Sequence, residues 1–262
     1  MSLQYILGCA GAGKTYYCYD KIIKESMKNI DKPLIMIVPE QFTLETQKDI
    51  VKLHPSSGIM QIEVLSFQRL AYRILDEIGG ANKTLLGNTG KGMVIRKVIE
   101  ENKEKLRLFY KNSGKPGFIK ELKSVITELY QYDISSQDLT KSLEELSNKP
   151  LLQTKINDLQ IVYDGFKEFI KKEYITNEDT LDILSESIKQ SNLLEEATIW
   201  IDGFYGFTPI QYKVLNEILK KSRETYLTLT IDNINKLDDL SDESELFYET
   251  KKTIYKLNSL AK

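Results

Sequence analysis

Eight residues near the start of the chain constrain it most: Gly8-Cys9-Ala10-Gly11-Ala12-Gly13-Lys14-Thr15 fits G-x-x-x-x-G-K-[ST] in full. The apolar run at residues 3–7 precedes it and can form a buried strand, and a helix-compatible stretch, residues 16–27, follows. A phosphate-binding loop needs that strand–loop–helix setting. Its glycines let the backbone wrap a phosphate, so that N–H groups and a helix N-terminus face the anion. Gly8, Gly11, Ala12, Gly13, Lys14 and Thr15 are therefore expected to hold ATP. Lys14 would reach the β- and γ-phosphates, and the Thr15 hydroxyl would bind Mg²⁺. A glycine-rich turn that binds nothing is the bland alternative, and the matching flanks argue against it.

The alternation continues. Leu34-Ile35-Met36-Ile37-Val38 reads as a second strand closed by Pro39, and a helix is expected over 44–53. Ile62-Glu63-Val64-Leu65 reads as a third strand, with Ser66 as cap of a helix over 67–78 that Gly79-Gly80 stops. Alternating β and α elements predict an α/β class with a parallel sheet covered by helices. From 85 to 196 the strands stop, and the stretch is helical in pattern and rich in Lys, Glu and Leu. Its clearest element is 151–174, where Leu152, Ile156, Leu159, Tyr163, Phe166 and Ile170 alternate spacings of four and three. Gly114-Lys115-Pro116-Gly117 and Asn148-Lys149-Pro150 read as breaks between helices. The expectation is an inserted all-helical subdomain, residues 85–195, of about three to five helices. A discontinuous sheet domain, 1–84 and 196–262, would flank it. Strands return at 197–201 and 226–231. Between them Thr208 suits an N-cap, Pro209 the first helical position and Gln211 the third, which completes a capping box. A last helix is expected over 244–260, with Leu246, Phe247, Ile254 and Leu257 as its apolar side. The acidic residues Asp238, Asp239, Asp242, Glu243 and Glu245 read as an exposed loop.

A phosphate loop needs a metal-organising carboxylate at the end of another strand. Ile199-Trp200-Ile201-Asp202 supplies one, so Asp202 joins Thr15 as an expected holder of Mg²⁺ or its waters. The next position decides the chemistry. DNA-translocating ATPases usually carry a water-positioning Glu there, and such a base is worth roughly 10²- to 10⁴-fold in rate. Here the residue is Gly203. ATP binding with little or no hydrolysis is therefore expected, unless Glu40, just past the second strand, serves as the catalytic base. Gly87-Asn88-Thr89-Gly90-Lys91-Gly92 superficially resembles a second phosphate loop, but no strand precedes it. A helix start capped by Asn88 or Thr89 fits better.

Composition excludes several classes. With 41% hydrophobic and 28% charged residues the chain is of ordinary globular make-up. No apolar run approaches the roughly 20 residues that cross a bilayer, and no secretory leader pattern precedes the glycine loop. Two cysteines, Cys9 and Cys18, and one histidine, His54, cannot make a zinc cluster of the usual spacing or an iron–sulfur centre. His54 lies in Leu53-His54-Pro55-Ser56-Ser57-Gly58, which reads as a surface turn rather than a hydrolase site. Unpaired cysteines fit a cytoplasmic setting. The net charge of −2 excludes a globally basic nucleic-acid binder, although not a local basic patch.

The phosphate loop, then Val38-Pro39-Glu40-Gln41-Phe42-Thr43, Leu65-Ser66-Phe67-Gln68-Arg69-Leu70 and Ile201-Asp202-Gly203-Phe204-Tyr205-Gly206-Phe207-Thr208-Pro209, occur in that order. Together they resemble the N-terminal part of AddB, the B subunit of bacterial AddAB helicase–nucleases. The resemblance covers essentially the whole chain, including Leu246-Phe247-Tyr248-Glu249-Thr250. Asp202-Gly203-Phe204 is its most family-specific piece. It implies a RecA-like P-loop NTPase sheet interrupted by a helical subdomain, as in superfamily 1 helicases of the UvrD/Rep type. It implies an AddA-like helicase–nuclease subunit as heterodimer partner, and DNA, in the processing of double-strand ends for recombination. In that family AddA is the motor, and AddB is helicase-like, lacks a working set of motor motifs and is implicated in reading the Chi sequence. The family's chains are several times longer than this one. Their nuclease domain and the four cysteines of its iron–sulfur cluster would lie beyond Lys262, so neither activity nor cluster is expected here. Many members carry Arg in place of Cys9 and Ser or Thr in place of Ala12, and neither change removes a backbone N–H.

Two other readings compete. A small-molecule or nucleoside kinase would use the helical stretch as a lid, and such lids supply Arg to the transferred phosphoryl group. Residues 85–195 contain only Arg96 and Arg107. A non-enzymatic scaffold for a partner helicase subunit and DNA is the other, and it is compatible with the first reading.

Overall fold

The computed structural model describes residues 2–28, 32–79, 84–146, 148–176, 179–232, 237 and 240–260. It opens with β1 (Leu3–Gly8), α1 (Lys14–Lys28) and β2 (Leu34–Ile37). A 3₁₀ turn (Glu40–Phe42) leads into α2 (Thr43–Leu53), followed by β3 (Ile62–Leu65) and α3 (Phe67–Glu77). Ser66 caps α3 by accepting the Arg69 N–H, and Gly79, at φ +72°, ends it in the left-handed region that suits glycine. Gly80 lies outside the described residues.

The helical stretch comprises α4 (Asn88–Glu101), the one-turn α5 (Phe109–Asn112), α6 (Pro116–Gln131), α7 (Ser136–Glu145) and α8 (Pro150–Glu173). Its core gathers on α8, whose Val162, Tyr163, Phe166 and Ile170 are buried among residues of α4 and α6. Leu152, expected in that stripe, is exposed instead, because it lies in the first turn. Strands do not stop entirely here. Two-residue strands β4 (Thr84–Leu85) and β5 (Tyr174–Ile175) pair in parallel, too short to leave a periodic signature. The helix at 88 is capped by Gly87 and not by the Asn88 or Thr89 side chain, since both already lie within its first turn.

The remainder is α9 (Asp179–Ser187), a 3₁₀ turn (Ile188–Gln190), β6 (Thr198–Ile201), α10 (Pro209–Lys221), β7 (Glu224–Thr230) and α11 (Tyr248–Leu260). Thr208 and Gln211 form the complete capping box of α10, with Pro209 at its first position. The last helix begins later than its apolar pattern suggests: Leu246 is 86% exposed and precedes it, while Ile254 and Leu257 are buried. Nor is the acidic loop wholly solvated. Glu245 holds Lys251 at 2.6 Å, and that lysine is 2% exposed. Asp238 and Asp239 lie outside the described residues.

The chain gathers into two compact units, residues 1–80 with 181–262, and residues 81–180. In the first, five strands form one all-parallel sheet in the order β1-β7-β6-β2-β3. Parallel neighbours that follow one another in the chain need helical crossovers, which α2 provides for β2 and β3 and α10 for β6 and β7. β2 and β6 are buried on both faces, hence their unbroken apolar runs. Leu34, Met36 and Trp200 face α1 and α2. Ile35, Ile37, Ile199 and Ile201 face α3, α10 and α11. On α3 the buried Phe67, Leu70, Ala71, Ile74 and Leu75 make one stripe, each large side chain contributing about 1.5–3 kcal/mol. The carboxyl ends of β1, β7 and β6 are adjacent, with Gly8 opposite Thr230 and Ile201 opposite Leu227. Among the described residues no helix is long and apolar enough to cross a membrane.

Candidate functional site

Ligands in open α/β sheets bind beyond the carboxyl ends of the strands. β1 ends there at Gly8, where an added Cβ would stand 3.3 Å from that of Ala12. The loop closes tightly as the Ala12 N–H donates to the Cys9 carbonyl at 3.2 Å. Gly11 and Gly13 have φ of +74° and +81°, a region that costs other residues about 1–2 kcal/mol. Both would admit a Cβ without a neighbour within 4 Å, so conformation, not crowding, calls for glycine. Lys14 opens α1 and its Nζ donates to the carbonyls of Gly8 (2.9 Å) and Cys9 (2.8 Å). A cleft of about 560 Å³ borders the loop, lined by residues 11–16, Tyr19, and the α2 residues Asp49, Lys52 and Leu53. That volume falls in the range of small-molecule sites, roughly 300–1,000 Å³.

Thr15 and Asp202, 187 residues apart, meet here: Thr15 Oγ1 donates to Asp202 Oδ2 at 2.8 Å. Asp202 follows β6 and is 5% exposed. Its other oxygen accepts from the hydroxyl of Thr228, a buried residue of the intervening β7. Thr228 escapes a sequence reading, since a lone Thr in a strand signals nothing beyond β-propensity. Burial, and then the charge of Asp202, push the Cys18 thiol well above its usual range, so it stays protonated. The donor set at the junction is one hydroxyl and one carboxylate, hard oxygens suited to Mg²⁺. No cluster of three or more His, Cys, Asp or Glu side chains forms among the described residues. Water and phosphate would complete such an ion's shell.

Glu40 is held differently. It follows β2 in the 3₁₀ turn, accepts from the Ser66 hydroxyl, and pairs with Arg69 Nε at 3.0 Å. The Ser66 hydrogen bond first, opposed by partial burial and assisted by Arg69, holds its carboxyl below the usual range. Gly203 has φ +81°, and a Cβ there would lie 3.3 Å from Pro39 Cδ. His54 bonds Ser56 and lies within 3.4 Å of the Ser26 hydroxyl, in a local turn.

A family model described as ADDB, N-terminal matches residues 5–262. The chain belongs to this family. A protein of Lachnoclostridium phytofermentans, named as the B subunit of an ATP-dependent helicase/deoxyribonuclease, is 43% identical over 261 residues, 100% of this chain and 23% of that protein. A protein of the same name from Caldanaerobacter subterraneus is 43% identical over 257 residues, 98% and 22%. Another from Ruminiclostridium cellulolyticum is 33% identical over 262 residues, 100% and 23%. The chain thus spans less than a quarter of the length of these curated relatives. In this AddB N-terminal chain the Asp202-Gly203-Phe204 segment has three physical jobs. Asp202 takes the two hydroxyls, Gly203 makes the left-handed turn, and Phe204 anchors it. Its ring lies 5.4 Å from Phe67 and 5.2 Å from Phe207.

Proposed function

We propose that this AddB N-terminal chain is a RecA-like P-loop domain that binds ATP–Mg²⁺ through residues 8–15. It would serve as the nucleotide-binding part of a cytoplasmic helicase–nuclease subunit that acts on DNA in double-strand-break repair, beside an AddA-like partner. The observation that carries the reading is the 2.8 Å hydrogen bond between Thr15 and Asp202 at the mouth of the glycine loop. A hydroxyl and a carboxylate already in register can turn together onto one hard cation. The bound metal would supply charge neutralisation at the phosphates. Lys14 would leave its two carbonyl acceptors for the β- and γ-phosphates, and the N–H groups at the start of α1 would face the same anion.

Hydrolysis would be slow. The position after Asp202 holds no carboxylate, and its left-handed backbone disfavours one. Glu40 is the acid left for the base, and an anion already bound by Ser66 and Arg69 is a weak proton acceptor. Calorimetry with a non-hydrolysable ATP analogue tests the site. Lys14→Ala should weaken binding at least tenfold, about 1.4 kcal/mol. Equal affinity in variant and parent would mean that the loop is not the site.

A further inference from the structure

Charge is unevenly spread over the chain. The whole carries −2, yet residues 103–123 hold seven cations against Glu104 and Glu121, a net of +5. They span the loop after α4, the one-turn α5 and the first half of α6. Lys103 pairs with Glu100 at 3.4 Å, and Lys115 donates to Asn112 at 2.8 Å. Lys105, Arg107, Lys111, Lys120 and Lys123 have no acid partner among the described residues. Three surface lysines of the sheet unit stand in contrast: Lys24 pairs with Asp20 (2.7 Å), Lys220 with Glu217 (2.8 Å) and Lys252 with Glu249 (3.0 Å). Unrelieved like charges repel one another, and a segment dense in positive charge attracts an anion that relieves them.

The basic loop is also fixed in place. Asp158 of α8 is 0% exposed, and its carboxylate accepts the backbone N–H groups of Arg107 (3.1 Å), Leu108 (2.7 Å) and Phe109 (2.9 Å). Phe109 is buried with its ring against Phe118 at 5.2 Å. The backbone presenting Lys105 and Arg107 is thus preorganised, which lowers the ordering cost of binding. Tyr110, 39% exposed, stands between Arg107 and Lys111.

We propose that this basic segment of the helical unit, residues 103–123, docks the phosphate backbone of duplex DNA. Lys and Arg side chains bound to phosphates position a protein on a duplex without reading its sequence. The choice of DNA rests on the deoxyribonuclease-subunit reading above. The surface itself rests on charge and the nucleotide site plays no part in it.

Titration of the chain with a short DNA duplex at several salt concentrations tests this. Lys105→Gln/Lys111→Gln/Lys120→Gln removes three unpaired cations. Each phosphate that is no longer neutralised lowers the slope of log affinity against log salt by about 0.9, so the slope should fall by about 2 to 3. Affinity at low salt should drop on the order of tenfold or more. Lys24→Gln/Lys220→Gln/Lys252→Gln removes the same charge from lysines already paired, and should change affinity by no more than about twofold. Equal losses in both variants would reduce the effect to net charge and overturn the proposal. An unaffected first variant, in a chain that does bind the duplex, would overturn the surface. A parent chain with no duplex affinity would overturn the DNA reading, and polyglutamate binding as tightly as the duplex at equal charge would make the partner an acidic protein instead.

Discussion

Among the described residues each of the two units buries one aspartate, and the two are satisfied in opposite ways. Asp158, in the helical unit, is bonded by three backbone N–H groups. Asp202, in the sheet unit, is bonded by two side-chain hydroxyls, those of Thr15 and Thr228. Backbone donors cannot turn away without unfolding the loop that carries them. Hydroxyls can rotate, and an oxygen that donates to a carboxylate can instead join that carboxylate around a cation. The same residue type is therefore a fastener in one unit and an exchangeable ligand in the other. Burial alone would not have told them apart.

The largest effect expected from this contrast is on stability. Asp158→Ala should cost about 3 kcal/mol, because three backbone N–H groups, that of Phe109 buried and the other two partly so, lose a charged acceptor at once. Denaturant unfolding checks this, and ATP-analogue affinity should be retained. Asp202→Ala should reverse the balance. Its stability cost should be about 1 kcal/mol, since two hydroxyls lose an acceptor. The Mg²⁺-dependent part of nucleotide affinity should fall tenfold or more, about 1.4 kcal/mol. Calorimetry with and without the metal reads it. An Asp202→Ala chain that binds nucleotide–Mg²⁺ like its parent would erase the distinction between the two aspartates.

The neighbour of Asp202 sharpens the comparison further. Gly203→Ala should cost about 1 kcal/mol through its left-handed backbone and the approach of Pro39. Gly203→Glu should cost as much and still leave turnover below about one per second, against a median near 10 s⁻¹ for enzymes. A glutamate chain that is both undiminished in stability and fast would show that the turn is no obstacle to a catalytic base.

What could be read beforehand divides along the same line. Apolar runs at β2 and β6 are plain because both faces of those strands are buried. The caps at Ser66 and Thr208 are plain because a cap bonds within three residues of itself. Asp158 is opaque: in a helix it reads as one more solvated polar residue, and its partners lie about 50 residues away. Thr228 is opaque for the same reason, its acceptor lying 26 residues off. Gly87 takes the cap from two better-looking neighbours, and β5 is only two residues long. Local chemistry was legible, and so was the distant Thr15–Asp202 junction, because a phosphate loop at one end and a strand ending in Asp at the other mark it. The pairings of Asp158 and Thr228 belong to no motif, and spacing carries no record of them.

The smallest effect expected concerns Glu40, the exposed counterpart of the buried pair. Its carboxyl is held below the ordinary value of 4.5, chiefly by the Ser66 hydroxyl and then by Arg69. A depressed folded-state value means that the anion is favoured by folding. Its contribution is full above the unfolded value and is lost as pH falls through the folded one. The group is half exposed, with side-chain exposures of 51% for Glu40 and 54% for Arg69, so solvent screens the pair. Glu40→Gln should therefore cost only about 0.2–1 kcal/mol at neutral pH. The difference from the parent should be flat above roughly pH 5 and shrink below it. Arg69→Met should keep the sign and move the loss toward the ordinary carboxyl range, because the hydroxyl donor remains. Thermal unfolding of the three chains across that range decides it. A Glu40→Gln deficit that grows on acidification would mean that Glu40 is protonated in the folded chain. Its bond to Ser66 would then run the other way, and Glu40 would be an acid rather than a locked anion.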